Sequence, residues 1–433
     1  MAGVTASLLA GCAEEDIILP GKREDLRAPF GEVSDDRVQA ENTAQAISLP
    51  AMSSNASWTQ RIGTPATRTA HPALASQLTG VQWSASIGEG DSRRHRITAD
   101  PVVAQGRIFA MDSKAKVSAV SQNGEVLWST DLTPPRDRQN DAGGGGLAYG
   151  DGLVFVSSGF GKLFALDPSS GAQVWEQDLD APATGAPSVR GGLVYVVSGD
   201  NVAWALDSTS GKVAWQLDGS TDNGNVSGAP APAVGDDLVV LSFGAGELQA
   251  AFRKGGLRRW DAIVAGQRRG IAVNTVSDIT GDPVISGSTV YAGSHQGRIV
   301  ALNVDSGARL WTAKDGALGP VWPAGGSIFA VTDRNELIRL DAQTGTRIWG
   351  TKLPLFVRED RRRRVEIVAH HGPVVAGGRV IVASNDGLVR SFDPVTGAQI
   401  SAVEIPGGAS TNPVVAGGTL YLVSRKGQLH AIR

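Results

Sequence analysis

Six histidines, one cysteine and a scatter of adjacent charges are the side chains in this 433-residue chain that could ligate a metal, move a proton or attack a carbonyl. His71, His95, His295, His370, His371 and His430 show no His-x-x-x-His spacing, and Cys12 alone cannot build Cys-x-x-Cys, so zinc-type donor sets are missing. The adjacent His370-His371 pair reads as a solvated loop. No Gly-x-Ser-x-Gly elbow and no Gly-Lys-Ser/Thr phosphate loop occur. Gly143–Gly146 lacks the Lys-Ser/Thr that would follow in such a loop and reads as a flexible entry to a repeat. Asp236-Asp237 follow Gly235 in a predicted hairpin turn, where carboxylates are solvated. No catalytic constellation emerges, and no cofactor or metal site is expected.

The elements around these residues repeat. Pro283–Trp311 reads as four short strands, 283–285, 289–292, 298–303 and 308–311, separated by glycine-bearing turns. Trp128, Trp175, Trp215, Trp260, Trp311 and Trp349 each close a copy, and Ile400 is placed at the equivalent position after Thr396-Gly397. Subtraction gives gaps of 47, 40, 45, 51, 38 and 51 residues, the period of a four-stranded propeller blade. The last copy, from Asn412-Pro413, has only three strands before Arg433. An orphan strand around Trp83 (81–87) supplies the fourth, closing the ring and hiding two sheet edges. The expectation is an all-β fold, an eight-bladed β-propeller of four-stranded antiparallel blades over 79–433. The tryptophans, Trp83 included, are expected to dock neighbouring blades together. Third strands end in Asp167, Asp207, Asn303, Asp341 and Asp393, expected to cap their own turns.

Composition and charge narrow the partners. A formal charge of −3 gives no global pull toward nucleic acid, and basic clusters such as Arg93–Arg96, Arg258-Arg259, Arg268-Arg269 and Arg361–Arg364 lack interleaved stacking aromatics. No run of eighteen apolar residues is present. Leu9-Ala10-Gly11-Cys12 resembles a bacterial lipobox with Cys12 as the acylated residue, although no Lys or Arg precedes it. Residues 1–12 are therefore expected as a truncated lipoprotein signal. Residues 13–78 are expected as a charged, flexible tether, with Trp58 and His71-Pro72 lying against the propeller side.

Strand parity places the long connections 216–231, 261–282 and 350–372 on one rim, opposite the short Ser-Gly and Thr-Gly turns. Loops on a rigid scaffold carry binding, so this rim is the expected site. Arg268 and Arg269 fall on it as an electrostatic docking edge.

The Ala-Leu-Asp … Ser/Thr-Gly … Trp copies resemble quinoprotein-type propeller repeats. Two families share them: the pyrroloquinoline quinone (PQQ) alcohol dehydrogenases, and the outer-membrane assembly factors of the BamB family. Chain size, the lipobox and ring closure resemble the second, and no vicinal cysteine pair is present to contact a quinone. That resemblance implies a non-catalytic scaffold lipoprotein at the periplasmic face of the cell outer membrane. Its partner would be a BamA-like barrel-inserting subunit, bound through its periplasmic (POTRA) domains, and it would aid insertion of nascent outer-membrane proteins. The rival reading is a periplasmic quinone-dependent dehydrogenase or a relic of one. In BamB-like proteins two aspartates in a Ser-Asp-x-Asp-like stretch contact the partner. Here Ser277–Val284 matches that stretch: Asp278 aligns with the first, Thr280 stands at the second, and Asp282 is close by. The leucines and arginine expected before Ala229-Pro230 are missing.

Overall fold

The computed structural model describes residues 42–220, 229–264, 266, 279–358 and 366–433. Among them, strands β1 to β32 make eight four-stranded antiparallel sheets, an eight-bladed propeller. Blade five shows the local logic, with β18 (Val284–Ser286), β19 (Thr289–Ser294), β20 (Arg298–Asn303) and β21 (Arg309–Ala313) joined in sequence order. Its two middle strands are buried along nearly their whole length, because a blade is sandwiched between two others; the outermost strand is largely exposed. Gly145 and Gly146, expected in a loose entry, instead open the innermost strand β6 (Gly145–Gly150) of blade two. A Cβ on Gly146 would stand 2.2 Å from the Cα of Ala186 in blade three, so only glycine lets the sheets approach.

Closure joins the two ends of the chain. β1 (Val81–Ser86) lies antiparallel to β32 (Gln428–Ile432), with Trp83 opposite Ala431, and β31 (Thr419–Val423) and β30 (Val414–Ala416) complete that sheet in the order β1-β32-β31-β30.

Seven indoles bind blade to blade in one repeated way. Trp83, Trp128, Trp175, Trp215, Trp260, Trp311 and Trp349 donate Nε1–H to backbone carbonyls of the following blade's third-to-fourth-strand turn, at 2.7–3.1 Å. Each ring lies on the positive-φ glycine of that turn: Gly124, Gly171, Gly211, Gly256, Gly307, Gly345 and Gly397. Blade seven departs. Ser401, not Ile400, holds the indole position, since Ser391 faces Ser401 just as Ala301 faces Trp311. Ile400 is one residue out of register, hence on the opposite face, and 58% exposed. The missing indole has a cause. The next blade has no turn there, only the meeting of the chain ends, where Gly80 N–H donates to Arg433 O at 3.1 Å.

Residues 42–78 are not a tether. Residues 42–50 cross the short-turn face: Thr43 N–H donates to Ile348 O, and Arg339 donates to Gln45 O and Ala46 O. Residues 55–72 then fill the axial channel. Backbone N–H groups of the innermost strands, or of the turn just after one at Gly417, donate into this plug: Val103 to Trp58 O, Tyr149 to Thr59 O, Val234 to Pro65 O, Ile285 to Ala66 O and Gly417 to Asn55 O, all at 2.7–2.8 Å. Val189 N–H donates to the Gln60 side chain, and Gly377 N–H to Pro72 O. In blade six, Trp322 lies beneath the Arg68 guanidinium at 4.3 Å and beside Trp58 at 6.1 Å. All eight blades thus touch the plug, which covers strand edges that would otherwise line the channel unpaired.

Comparing Gly307→Ala with Gly418→Ala tests the indole docks. Both glycines have φ near +70°, but a Cβ at 307 meets Trp260 at 2.7 Å while at 418 it meets nothing. Each variant should lose about 1 kcal/mol of stability to backbone strain. Gly307→Ala should lose about 1–3 kcal/mol more to crowding. Equal urea midpoints would show that the ring–glycine contact is slack.

Candidate functional site

On the long-loop side the plug forms the floor of a funnel, a cavity of about 370 Å3 lined by Arg61, Asp100, Phe243, Leu318, His371 and Asn412 among others. The floor is ionic. Arg61 Nε stands 3.4 Å from Asp100 Oδ2 and 3.3 Å from Asp282 Oδ2, and its Nη1 donates to Ala229 O at 3.1 Å. Asp100 accepts from Asn412 N–H and Nδ2–H at 2.7 and 2.8 Å, and Asp282 Oδ1 accepts from Ala231 N–H at 2.5 Å. Burial raises the pKa of both aspartates, with Arg61 pulling the other way. Burial alone would lower the Arg61 pKa, yet Asp282 and then Asp100 overcome it and the net shift is upward. Arg68, alongside, is lowered to about 10, chiefly by burial.

Asp282, expected on the partner surface, is therefore turned inward: it is 1% exposed and committed to the plug. The Ser277–Val284 match gave no sign of this, because the opposing charge sits more than two hundred residues upstream. Arg61 and Asp100 were not singled out from sequence at all; Trp58 and Arg61, large side chains inside a polar stretch, were the available signal. Thr280 stands on the rim, its Oγ1 donating to Ala317 O at 2.8 Å, so this connection is tied to the next. Cys12, Arg268, Arg269 and Asp278 lie outside the described residues.

Two further features shape the rim. The described ends of the connection between blades six and seven pair antiparallel: Val357 N–H donates to Glu366 O, and Val368 N–H to Leu355 O, both at 3.0 Å. They expose Leu355, Val357 and Ile367, and Arg425 braces them through Glu366 at 2.6 Å. Nearer blades one to three, Asp137, Asp141, Asp178 and Asp180 line a notch of about 290 Å3. Among the described residues no group of three or more His, Cys, Asp and Glu could hold a metal ion.

His370 and His371 are not solvated. They open β26 (His370–Ala376), where His370 Nδ1 pairs with Ser384 Oγ at 2.7 Å and Nε2 with Pro354 O at 2.9 Å. His371 lies in the funnel floor with its Nε2 buried and unpaired. Burial, the largest influence on each, lowers both pKa values to about 4.

Two outcomes follow from these charges. Arg61→Met strands two buried carboxylates and should cost about 3–5 kcal/mol in urea unfolding, with part recovered in Arg61→Met/Asp282→Asn. An unchanged midpoint in the single variant would show that the pair does not hold the plug. For the histidines, the unfolded chain takes up protons below about pH 6.5 while the folded chain resists until about pH 4. Stability should therefore fall as pH drops through that window, and His370→Gln/His371→Asn should flatten the fall in a pH series of thermal midpoints.

Comparison with known proteins gives a consistent set of relatives. The profile of a family described as outer membrane protein assembly factor BamB matches residues 113–351 and 359–433. The Escherichia coli (strain K12) protein of that name is 26% identical over 367 residues, covering 83% of this chain and 91% of the relative. The Pseudomonas aeruginosa one is 29% identical over 352 residues, covering 81% and 88%. With the Alteromonas naphthalenivorans one, 30% identity extends over 260 residues, 57% of this chain and 62% of the relative's length. Among solved structures, BamB from Moraxella catarrhalis superposes with TM-score 0.68 at 20% identity, covering 82% of this chain and 100% of that one. A quinohemoprotein alcohol dehydrogenase from Comamonas testosteroni gives 0.65 at 15% identity, covering 87% and 80%. Likenesses at such identities concern the fold alone.

Proposed function

The chain belongs to the BamB family of outer membrane protein assembly factors, and from that premise we propose that it works as a non-catalytic scaffold whose long-loop rim binds a protein partner. The observation that carries this reading is the contrast between the two faces. One is paved with short turns, all but one of those between third and fourth strands capped by a side chain; the other gathers the long connections, the paired segments around Leu355 and Ile367 and the funnel on a frame locked by indoles and plug. A rigid frame with varied loops on one rim suits recognition at low ordering cost.

The partner in this reading is the barrel-inserting subunit, engaged through its periplasmic domains, and the delivered cargo is nascent outer-membrane protein. Asp278 and Thr280 supply polar contacts, Arg268 and Arg269 an electrostatic edge, and exposed Leu355 an apolar one. Asp282 has a structural role. Acylation of Cys12 would hold the protein at the periplasmic face of the outer membrane, and intact-mass measurement of membrane-extracted protein would reveal or rule out the lipid. The axial position, where a propeller enzyme would need room for a ring-shaped cofactor, is filled by Trp58, Arg61 and Arg68.

The test is capture of the subunit's periplasmic domains by the full chain and by Asp278→Ala and Leu355→Asp variants. Losses on the order of tenfold are expected from an interface whose energy is concentrated in a few contacts. Failure of the unmodified chain to bind, or robust dye reduction on adding PQQ and calcium, would overturn the proposal.

A further inference from the structure

Eight similar blades allow each turn to be judged against its siblings, and one departs. In blades two, three, five, six and seven the third strand ends in Asp167, Asp207, Asn303, Asp341 or Asp393, whose side-chain oxygen accepts N–H groups two and three residues on. In blade one Ser121 Oγ accepts from Asn123 and Glu125 instead. Blade four places Phe252 at this position: Leu238 faces it as Leu193 faces Asp207, and its turn glycine, Gly256, follows at the same interval as Gly211. The side-chain cap is gone, and the turn is held by backbone bonds: Gly255 and Gly256 N–H groups donate to Phe252 O, and Phe252 N–H donates to Leu257 O.

What replaces the cap is specific in chemistry. Phe252–Arg259 contains four basic residues and no acidic one. Phe252 is 41% exposed and Leu257 70%, the highest exposure of any large hydrophobic among the described residues. Lys254 and Arg258 are exposed around them, whereas Arg253 is committed to Asp236 O and Arg190 O, and Arg259, though exposed, donates Nε–H to Asp305 O at 3.2 Å. At the positions of Lys254 and Leu257 the capped sibling turns carry Ser169 and Ala172, Thr209 and Lys212, Asp305 and Ala308, Gln343 and Thr346, or Val395 and Ala398, so none pairs a cation with a large apolar side chain there. Giving up a local cap for two exposed apolar side chains ringed by cations serves no purpose within the fold.

We propose that the blade-four turn at Phe252–Arg259 is a membrane-contact site, taking an anionic phospholipid surface. An aromatic and an aliphatic side chain entering the interface, with basic residues on the headgroup phosphates, is the combination that holds peripheral proteins on acidic bilayers. Position agrees with the chemistry. The turn lies on the short-turn face, which residues 42–50 also cross. Membrane contact there would leave the long-loop rim facing away and free for its partner. The orientation rests on the scaffold reading above; the lipid contact does not.

The experiment is vesicle co-sedimentation of the full chain carrying Cys12→Ser, so that no acyl group contributes. Phosphatidylcholine vesicles are compared with vesicles that also contain phosphatidylglycerol. Binding should require phosphatidylglycerol, weaken with added salt, and fall roughly fivefold for each cation removed in Lys254→Ala and Arg258→Ala. Phe252→Asp restores the residue type of the sibling blades. It should preserve or raise the unfolding midpoint while lowering vesicle binding at least tenfold, so misfolding cannot account for the loss. Equal binding to both vesicle types, or full binding by Phe252→Asp, would overturn the proposal. So would loss of captured partner domains in Phe252→Asp without any vesicle binding, which would make the turn a protein-docking surface. Vesicle binding and partner capture are separate readouts, so either reading can fail while the other stands.

Discussion

Antiparallel pairing of β1 with β32 is the interaction on which the rest depends, because it turns an open row of blades into a ring. Without it blade eight would have three strands, and Trp83 would not be positioned to reach the Gln122 carbonyl of blade one. The indole series has seven members around eight junctions, and the vacant junction is where the chain ends meet. Ring closure and indole docking therefore divide the labour. Side-chain docking holds the continuous junctions, and backbone ladder bonds hold the blade that the chain ends share. Neither arrangement alone covers both kinds of contact.

The two faces follow from the same alternation of strands. Turns on the short face must accept an indole from the preceding blade, which fixes glycine at the contact and keeps length and conformation nearly constant. Connections on the other face have no such duty and are free to lengthen. Blade four shows how narrow the allowance on the short face is. Its turn keeps Gly256 beneath Trp215 and the Arg253 carbonyl that accepts the indole N–H. Side-chain variation falls at Phe252, Arg253, Lys254, Gly255 and Leu257, where the dock asks for no particular side chain.

This division also decides what could be read in the sequence. Blade number, strand order and ring closure were legible because tryptophan and Ser-Gly pairs recur at fixed spacing, and side-chain type reports directly on the dock. Register was legible to within one residue only. Ile400 reads as the indole position because hydrophobicity stands in for geometry, whereas the absence of a turn to receive a ring allows Ser401 there. The plug was invisible for a different reason. It is recognised mainly through backbone carbonyls, at Trp58, Thr59, Pro65, Ala66 and Pro72, and carbonyls carry no sequence signature. A polar, proline-bearing stretch without periodicity looks the same whether it is solvated or laid along strand edges. Asp282 was misplaced as a consequence, since its partner Arg61 belongs to that unseen segment.

Backbone recognition raises a problem of register that the buried charges resolve. The plug passes a succession of similar strand edges, each offering an N–H to any carbonyl at the right height, so a slipped alignment would keep many of the same bonds. Apolar side chains in place of all three charges would be no less stable in general, since desolvating Arg61, Asp100 and Asp282 consumes much of what their attraction returns. They would, however, tolerate the slip. Arg61 does not: Asp100 and Asp282 come from connections entering blades one and five, and they converge at one depth of the channel. Moving the plug by one residue would turn the guanidinium away and leave two buried carboxylates unpaired, a penalty far larger than any single backbone bond. The ion triad thus sets position where hydrogen bonding sets only affinity, and through position it sets the floor of the funnel around which the rim loops stand.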